Sequence, residues 1–175
     1  YSGAIAISES TSVIARSRSG GEWSGPLQGS FIIGEPAAAG NFVITEIMYH
    51  PSPATAGEIG AGFSDEEAFE YLEFMNVGSN PIELADVVVS EAFDFTFGVQ
   101  ELAPGERILL VRDQAAFEFR FGAGHLIAGE YGIQKLGNGG ERIVVKAADG
   151  SVIQDFTYGD KAPWPTAADG GGSSI

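Results

Sequence analysis

The sequence predicts an all-β sandwich, and three observations support this fold class. Glycine and proline are frequent, with 25 and 8 residues in a chain of 175, which is typical of many turns between short strands. Several short segments alternate apolar and polar residues, as half-buried strands do. Near the C-terminus, Asp149-Gly150 separates two apolar segments, and this arrangement is typical of a β-hairpin.

The first 34 residues contain three short strand-like segments, at 4–7, 12–18 and 29–33. A loop with one large anchor, Trp23, lies between the last two. Because three short strands bury little apolar surface, we expect residues 1–34 to be the C-terminal portion of a β-sandwich unit that packs on a neighbour. Residues 35–40 contain a proline and small side chains, and they are predicted to form a linker.

Residues 41–175 are predicted to form the main domain. Alternating or wholly apolar segments predict strands at 42–49, 69–76, 82–84, 87–89, 93–97, 107–112, 142–146 and 152–158. A type II turn is predicted at 102–106, because a Pro-Gly pair occupies its central positions. The segment 113–121 is the one predicted helix, with an aspartate as its N-cap, and residues 54–66 are predicted to form a long loop.

The negative charge is concentrated in the main domain. The formal net charge is −15; residues 1–39 contribute −1, from three glutamates against two arginines, which leaves −14 for the rest. Because such a surface repels phosphate groups, we expect neither nucleic acid nor an anionic membrane surface as a partner. No apolar stretch is long enough to cross a bilayer, so membrane insertion is not expected. The absence of cysteine excludes a disulfide framework and a thiolate metal site.

Five segments of the main domain occur in an order that is typical of one family. They are ITEIMYHP at 44–51, EYLEFMN at 70–76, LAPGE at 102–106, LGNGGE at 136–141, and a C-terminal group comprising Tyr158-Gly159, Trp164-Pro165 and 169–174. Together they resemble the lamin tail domain, a module of nuclear lamins and of many bacterial secreted proteins. The resemblance implies an immunoglobulin-like β-sandwich with one short helix. One position differs: where the family usually has a tryptophan shortly after the leucine that matches Leu84, this chain has Val87.

The N-terminal part carries a second, shorter resemblance. Tyr1, the pair Ala15-Arg16, the pair Trp23-Ser24 and the strand at Phe31 resemble the end of the β-sandwich appended to secreted chitobiase- and β-hexosaminidase-type glycosidases. Both resemblances imply a larger bacterial protein that is secreted or located in the cell envelope. The chain begins at Tyr1 without an initiator methionine, so we expect any export signal to lie upstream.

No motif predicts catalysis. The two histidines, His50 and His125, are separated by 75 positions, and each lies in a predicted turn or loop. No serine occupies a Gly-x-Ser-x-Gly motif. The glycine-rich segment 137–140 precedes a strand rather than a helix, so it is interpreted as a turn and not as a phosphate-binding loop. We therefore expect no catalytic residues.

Two acidic residues lie inside predicted strands, Glu46 and Glu73, where the lamin tail family also has acids. Since an unpaired buried charge is costly, we expect each to form a structural hydrogen bond to backbone amides or to an arginine. Paired carboxylates can also cleave glycosides, which is a more distant alternative.

Two kinds of binding site are candidates. In the acidic stretch 58–73, a calcium ion could be held by carboxylates, because hard cations prefer oxygen ligands; a solvated charged loop is the simpler interpretation. The carboxylates concerned are those of Asp65, Glu66, Glu67 and Glu70. Trp23 and Trp164 could stack on a sugar, although a tryptophan between two prolines, as Trp164 is, also suits the end of a core.

The leading hypothesis is a non-catalytic structural or interaction module of a larger secreted or cell-surface bacterial protein. Its expected partners are neighbouring domains of the same chain, or the surface of another protein or of a polysaccharide. The alternatives are a carbohydrate-binding accessory module of an extracellular hydrolase and a calcium-stabilised spacer domain.

Overall fold

The structure is a computed structural model that describes residues 3–175, so Tyr1, part of the N-terminal resemblance, lies outside the described residues. The strands are β1 (Thr11–Ala15), β2 (Arg18–Ser19), β3 (Glu22–Trp23), β4 (Leu27–Phe31), β5 (Glu35–Pro36), β6 (Phe42–Met48), β7 (Tyr71–Asn76), β8 (Ile82–Glu83), β9 (Val88–Ser90), β10 (Phe95–Thr96), β11 (Glu101–Leu102), β12 (Arg107–Val111), β13 (Ile127–Glu130), β14 (Arg142–Lys146) and β15 (Val152–Thr157). The helices are α1 (Ala56–Ala61) and α2 (Gln114–Phe121), with 3₁₀ turns at Glu66–Phe69 and Thr166–Ala168.

The main domain is a β-sandwich, which confirms the predicted immunoglobulin-like all-β fold. One sheet has the strand order β10-β9-β14-β15, the other has the order β13-β12-β7-β6, and a small sheet β11-β8-β5 lies beside them. Inward-facing side chains of both large sheets form one core, including Leu72, Phe74 and Ile108 from one and Val89 and Ile143 from the other. The alternating residues Leu72 and Phe74 of β7 therefore form the buried face that the sequence pattern predicted.

The sheet containing β12 is covered on both of its faces. Ile108 and Leu110 point into the main core, whereas Leu109 and Val111 pack with Phe117 of α2 in a second cluster. Because successive strand residues point to opposite faces, burial on both sides accounts for the wholly apolar sequence of β12. The helix predicted at 113–121 is confirmed, and Asp113 accepts a hydrogen bond from the Ala116 amide as its N-cap.

The acidic stretch contains a second helix where a long loop was predicted. Helix α1 begins with a capping box, in which the Thr55 hydroxyl accepts from the Glu58 amide and the Glu58 carboxylate accepts from the Thr55 amide. Gly62 ends it in a left-handed conformation. A 3₁₀ turn at Glu66–Phe69 follows, so strand β7 begins two residues later than predicted.

Residues 35–40, predicted to be a linker, instead begin the sandwich. Strand β5 pairs in parallel with β8, and the Ala37 amide donates to the carbonyl of Glu83. Ala37 is buried in the main core. Small side chains are used here for close packing and not for flexibility.

The N-terminal part is a thin hairpin. Strands β1 and β4 pair antiparallel, and β2 and β3 form a two-residue ladder. Residues 4–7, predicted to be a strand, form none. Among residues 3–36 none is buried, so this hairpin has no core of its own.

The two predicted turns are confirmed in part. The type II turn is confirmed, because Gly105 has a φ of 76° and the Glu106 amide donates to the carbonyl of Ala103. In the last hairpin Gly150 supplies a positive φ, but Asp149 does not.

The C-terminal residue covers part of the edge strand β6. Ile175 exchanges two backbone hydrogen bonds with Ile47, at 2.8 and 3.1 Å. Within the described part of the chain, neither α1 nor α2 is long and apolar enough to span a membrane.

Candidate functional site

A cleft of about 420 Å³ lies beside the acidic stretch, and we call it the acidic cleft. The loop after α1, the end of β12, the start of α2 and the end of β13 meet there. Its lining includes Phe63, Asp65, Arg112, Asp113, Glu130 and Ile133.

Two of these carboxylates are held by the first turn of α2. Asp113 Oδ1 accepts from the Ala116 amide at 2.9 Å, and Glu130 Oε1 accepts from the Gln114 amide at 2.6 Å. Both carboxylates therefore satisfy amides that a helix start leaves without intrahelical partners, and negative charge is favourable at that end of a helix.

One arginine lies at the base of the cleft. The Arg112 side chain is 15% exposed, and its Nη1 lies 3.2 Å from Asp65 Oδ2 and 3.4 Å from Glu67 Oε2. Glu67 also accepts from Lys135 Nζ at 2.6 Å. Because Arg112 is already paired, the cleft retains an excess of negative charge.

An apolar wall borders the charged base. Phe63 packs edge-on against the buried Phe69 and lies 5.5 Å, between ring centroids, from Phe119. On the other side, Ile133 is 98% exposed. A single exposed aliphatic side chain of this kind is common on protein surfaces.

The acidic stretch also contains a buried acid, Glu70. Glu70 is fully buried, and its Oε2 accepts from the Tyr131 hydroxyl at 3.2 Å and from the Leu136 amide at 2.9 Å. Its Oε1 has no hydrogen-bond partner in the part of the chain that the structure describes. Burial raises the pKa of Glu70 to about 8, so this carboxyl is mostly protonated at neutral pH.

The structure does not gather the four carboxylates of the calcium hypothesis. Asp65 and Glu67 point to basic side chains, Glu66 lies 3.9 Å from His50 Nε2, and Glu70 points into the core. Nowhere between residues 3 and 175 do three acidic or imidazole side chains form a group that could hold a metal ion.

Both strand acids take part in structural hydrogen bonds, but only Glu73 has a partner of the predicted kind, an arginine; the partners of Glu46 are hydroxyls. Glu73 Oε1 accepts from the Thr45 hydroxyl at 2.7 Å and pairs with Arg107 Nε at 2.9 Å. Glu46 Oε2 accepts from the hydroxyls of Tyr71 and Ser174, both at 2.9 Å. Their lone pairs are thus used to hold β6, β7 and the C-terminal segment together.

The histidines also have structural surroundings. His50 Nδ1 lies 2.6 Å from Asp169 Oδ1, which ties the end of β6 to the C-terminal loop. His125 lies edge-on to Phe117. Each histidine ring is therefore positioned by a neighbouring side chain of the domain.

The two tryptophans differ in exposure. Trp23 is 61% exposed, with the Arg18 guanidinium 5.5 Å from its ring centroid. Trp164 is half-buried against the main core, where it borders a small cavity of about 260 Å³ with Ile44 and Phe156. Only Trp23 of this pair presents most of its surface to solvent.

The N-terminal hairpin presents an apolar face, which we call the hairpin face: Val13, Ala15, Leu27 and Phe31. The register places Ala15 opposite Leu27 and Thr11 opposite Phe31, so these side chains point the same way. Leu27 is 75% and Phe31 is 51% exposed. A groove of about 770 Å³ runs between this face and the preceding segment at 5–9.

The acidic cleft is not recognisable as a unit in the sequence. Asp113 was identified as a cap, but Arg112, Glu130 and Ile133 had no motif to connect them, because they meet through the parallel pairing of β12 with β13. The capping box of α1 was readable from Thr55 and Glu58, three positions apart.

Comparison with known proteins agrees with the architecture. The family model described as Lamin Tail Domain matches residues 35–160, and the match begins at Glu35, the first residue of β5. No curated protein matches the chain.

Proposed function

The chain belongs to the lamin tail domain family, and from that premise we propose that it is a non-catalytic structural and interaction module of a larger secreted or cell-surface protein. Membership in this family, with its immunoglobulin-like fold, indicates a structural module rather than a catalytic one. The proposed partners are neighbouring domains of the same protein, or another protein or polysaccharide surface. The net charge of −15 supports partners other than nucleic acid.

The observation that carries this proposal is the hairpin face. An isolated two-stranded hairpin is at best marginally stable in water, and contiguous exposed apolar surface is typical of an interaction site. Leu27 and Phe31 lie on one face of such a hairpin and contact no core. A neighbouring domain that covers this face would stabilise the hairpin and fix its position relative to the sandwich.

The test is site-specific photo-crosslinking in the full-length protein. A photoreactive side chain replaces Leu27 on the hairpin face, and a matched control replaces Gln28, the next residue of the strand, which points to the opposite face. The proposal predicts a defined crosslinked product from position 27 and little from position 28. Equal yields at the two positions would contradict it.

A second candidate function, carbohydrate binding, is favoured by the exposure of Trp23. An exposed aromatic ring can stack on a sugar. A glycan array probed with the chain and with Trp23→Ala tests this: ligands that bind only the unchanged chain support it, and an array without ligands contradicts it.

A further inference from the structure

Strand β6 forms the open edge of its sheet, and the C-terminal residue already pairs with part of that edge. In the described part of the chain, β6 has a neighbouring strand, β7, on one side only. On the other side, Ile175 exchanges two backbone hydrogen bonds with Ile47, at 2.8 and 3.1 Å. Two residues that exchange both bonds form an antiparallel pair. Ile175 therefore occupies the position of one residue of an added strand.

One backbone amide of the same edge donates to a side chain, where a further strand would supply a carbonyl. The Ile44 amide donates to Gln154 Oε1 at 2.7 Å. Gln154 belongs to β15, the edge strand of the opposite sheet. Because Ile44 and Ile47 each direct a backbone amide away from β7, the Gln154 side chain and Ile175 together fill two successive places that a further strand would take.

A cavity of about 260 Å³ lies beside these two places, and its lining includes Ile44, Ile47, Phe156 and Trp164. Directly opposed residues of an antiparallel pair share a face of the sheet. A residue opposite Ile44 would therefore direct its side chain towards this cavity, which Ile175 also lines from its place opposite Ile47. Main-chain hydrogen bonds along an edge, with a pocket for alternate side chains, are the features by which proteins bind extended peptides.

We propose that this edge of β6 binds an extended segment of a partner protein as an added antiparallel strand, which takes the places of Ile175 and of the Gln154 side chain. The segment carries aliphatic side chains at alternate positions, because those opposite Ile47 and Ile44 face the cavity. Charge selects a partner protein over a second copy of this chain, since β6 lies in the strongly acidic main domain and two such domains would repel each other edge to edge. The inference rests on the proposed interaction function and names a second contact surface, separate from the hairpin face.

The test uses the whole chain and a short peptide, acetylated at its N-terminus and amidated at its C-terminus, in which isoleucine alternates with serine. Binding is measured from the shifts of the backbone amide resonances of Ile44 and Ile47 and of the Trp164 indole resonance. Two N-methylated peptides are compared: methyl groups on the isoleucine nitrogens point towards β6 and remove hydrogen bonds, whereas those on the serine nitrogens point away from it. We predict saturable shifts with the unmodified peptide, at least about tenfold weaker binding with methylated isoleucines, and less than about threefold weaker binding with methylated serines.

A protein variant tests the role of Gln154. Gln154→Ala frees the Ile44 amide, so the partner strand no longer competes with a side chain for it. We therefore predict that this variant binds the unmodified peptide at least about threefold more tightly. The matched control, Gln100→Ala, lies in the segment between β10 and β11 and should keep the affinity within about twofold.

Equal binding of the two N-methylated peptides, unchanged or weaker binding by Gln154→Ala, or no saturable shift at Ile44 and Ile47 would overturn the inference. Shifts confined to residues 11–31 would show that the peptide binds the hairpin face, which leaves the interaction function intact and removes only the β6 surface. Concentration-dependent shifts of Ile44 and Ile47 without peptide would identify a second copy of the chain as the occupant and would likewise refute a partner strand.

Discussion

Arg120 and Glu58 form a bidentate ion pair that joins α2 to α1. Arg120 Nε donates to Glu58 Oε1 at 2.7 Å and Nη2 donates to Glu58 Oε2 at 2.8 Å, while the guanidinium stacks 3.4 Å from the ring centroid of Phe69. Both side chains are largely buried. The pair therefore fixes the acidic stretch on the sandwich, and with it the loop that borders the acidic cleft.

Replacing Glu58 with Gln removes the charge and leaves Arg120 buried without a counter-ion. We expect the free energy of unfolding to fall by about 3 kcal/mol, since breaking a buried pair from one side is strongly destabilising. Urea unfolding at pH 7 measures this. The control is Glu91→Gln, because Glu91 pairs with Arg142 at 3.8 Å on the exposed surface and should change stability by less than about 1 kcal/mol. Similar losses for the two variants would contradict the assigned role of Glu58.

The same pair predicts an acid-sensitive component of stability. The Arg120 side chain lowers the pKa of Glu58 from 4.5 to about 2. A lowered folded-state pKa contributes stability that is present above pH 4.5 and is lost as the pH falls towards 2. Thermal unfolding between pH 2 and 5 should show a smaller pH dependence in Glu58→Gln than in the unchanged chain, and identical slopes would refute this assignment.

The buried Glu70 should make the stability depend on pH in the opposite direction. Burial raises the pKa of Glu70 from 4.5 to about 8, so the folded state binds a proton more tightly than the unfolded state. The resulting stability is fully present below pH 4.5 and is lost as the pH rises to 8. The loss is about 1.4 kcal/mol for each unit by which the folded-state pKa exceeds the unfolded-state pKa. The variant Glu70→Gln resembles the protonated form. As the pH rises from 5 to 8, its free energy of unfolding should therefore fall less than that of the unchanged chain. Parallel pH profiles would show that Glu70 does not carry this effect.

The glycine-rich turn before β14 contains one position where a side chain has no room. Gly140 has a φ of 99°, and a Cβ there would collide with the carbonyl of Tyr158. The adjacent Gly139 has open space around it. We expect Gly140→Ala to cost more than about 2 kcal/mol, from steric overlap and backbone strain, and Gly139→Ala to cost less than about 1 kcal/mol. Chemical unfolding of both variants measures the difference, and equal costs would contradict the packing described.

The fold is predictable from the sequence where the signal is local, and it is not predictable where a contact joins residues that are distant in sequence. The apolar run of β12, the Asp113 cap and the Pro-Gly turn at 102–106 were readable because each depends on neighbours in sequence. Residues 35–37 have the composition of a linker, because small side chains occur both in linkers and where strands pack closely. The arginine partner of Glu58 and the partners of Glu70 and Glu130 lie 16 or more positions away, so no local pattern could assign them.

Hydrogen exchange shows whether the hairpin face, uncovered in this chain, is covered in a larger protein, as expected of an interaction module. Amide exchange of residues 11–31 is followed by mass spectrometry in this chain alone and in the full-length protein, with β7 and β12 as the internal reference. We predict rapid exchange of 11–31 in the isolated chain and strong protection in the full-length protein, because a neighbour covers the face there. Equal exchange of 11–31 in both, with β7 and β12 protected throughout, would contradict the claim.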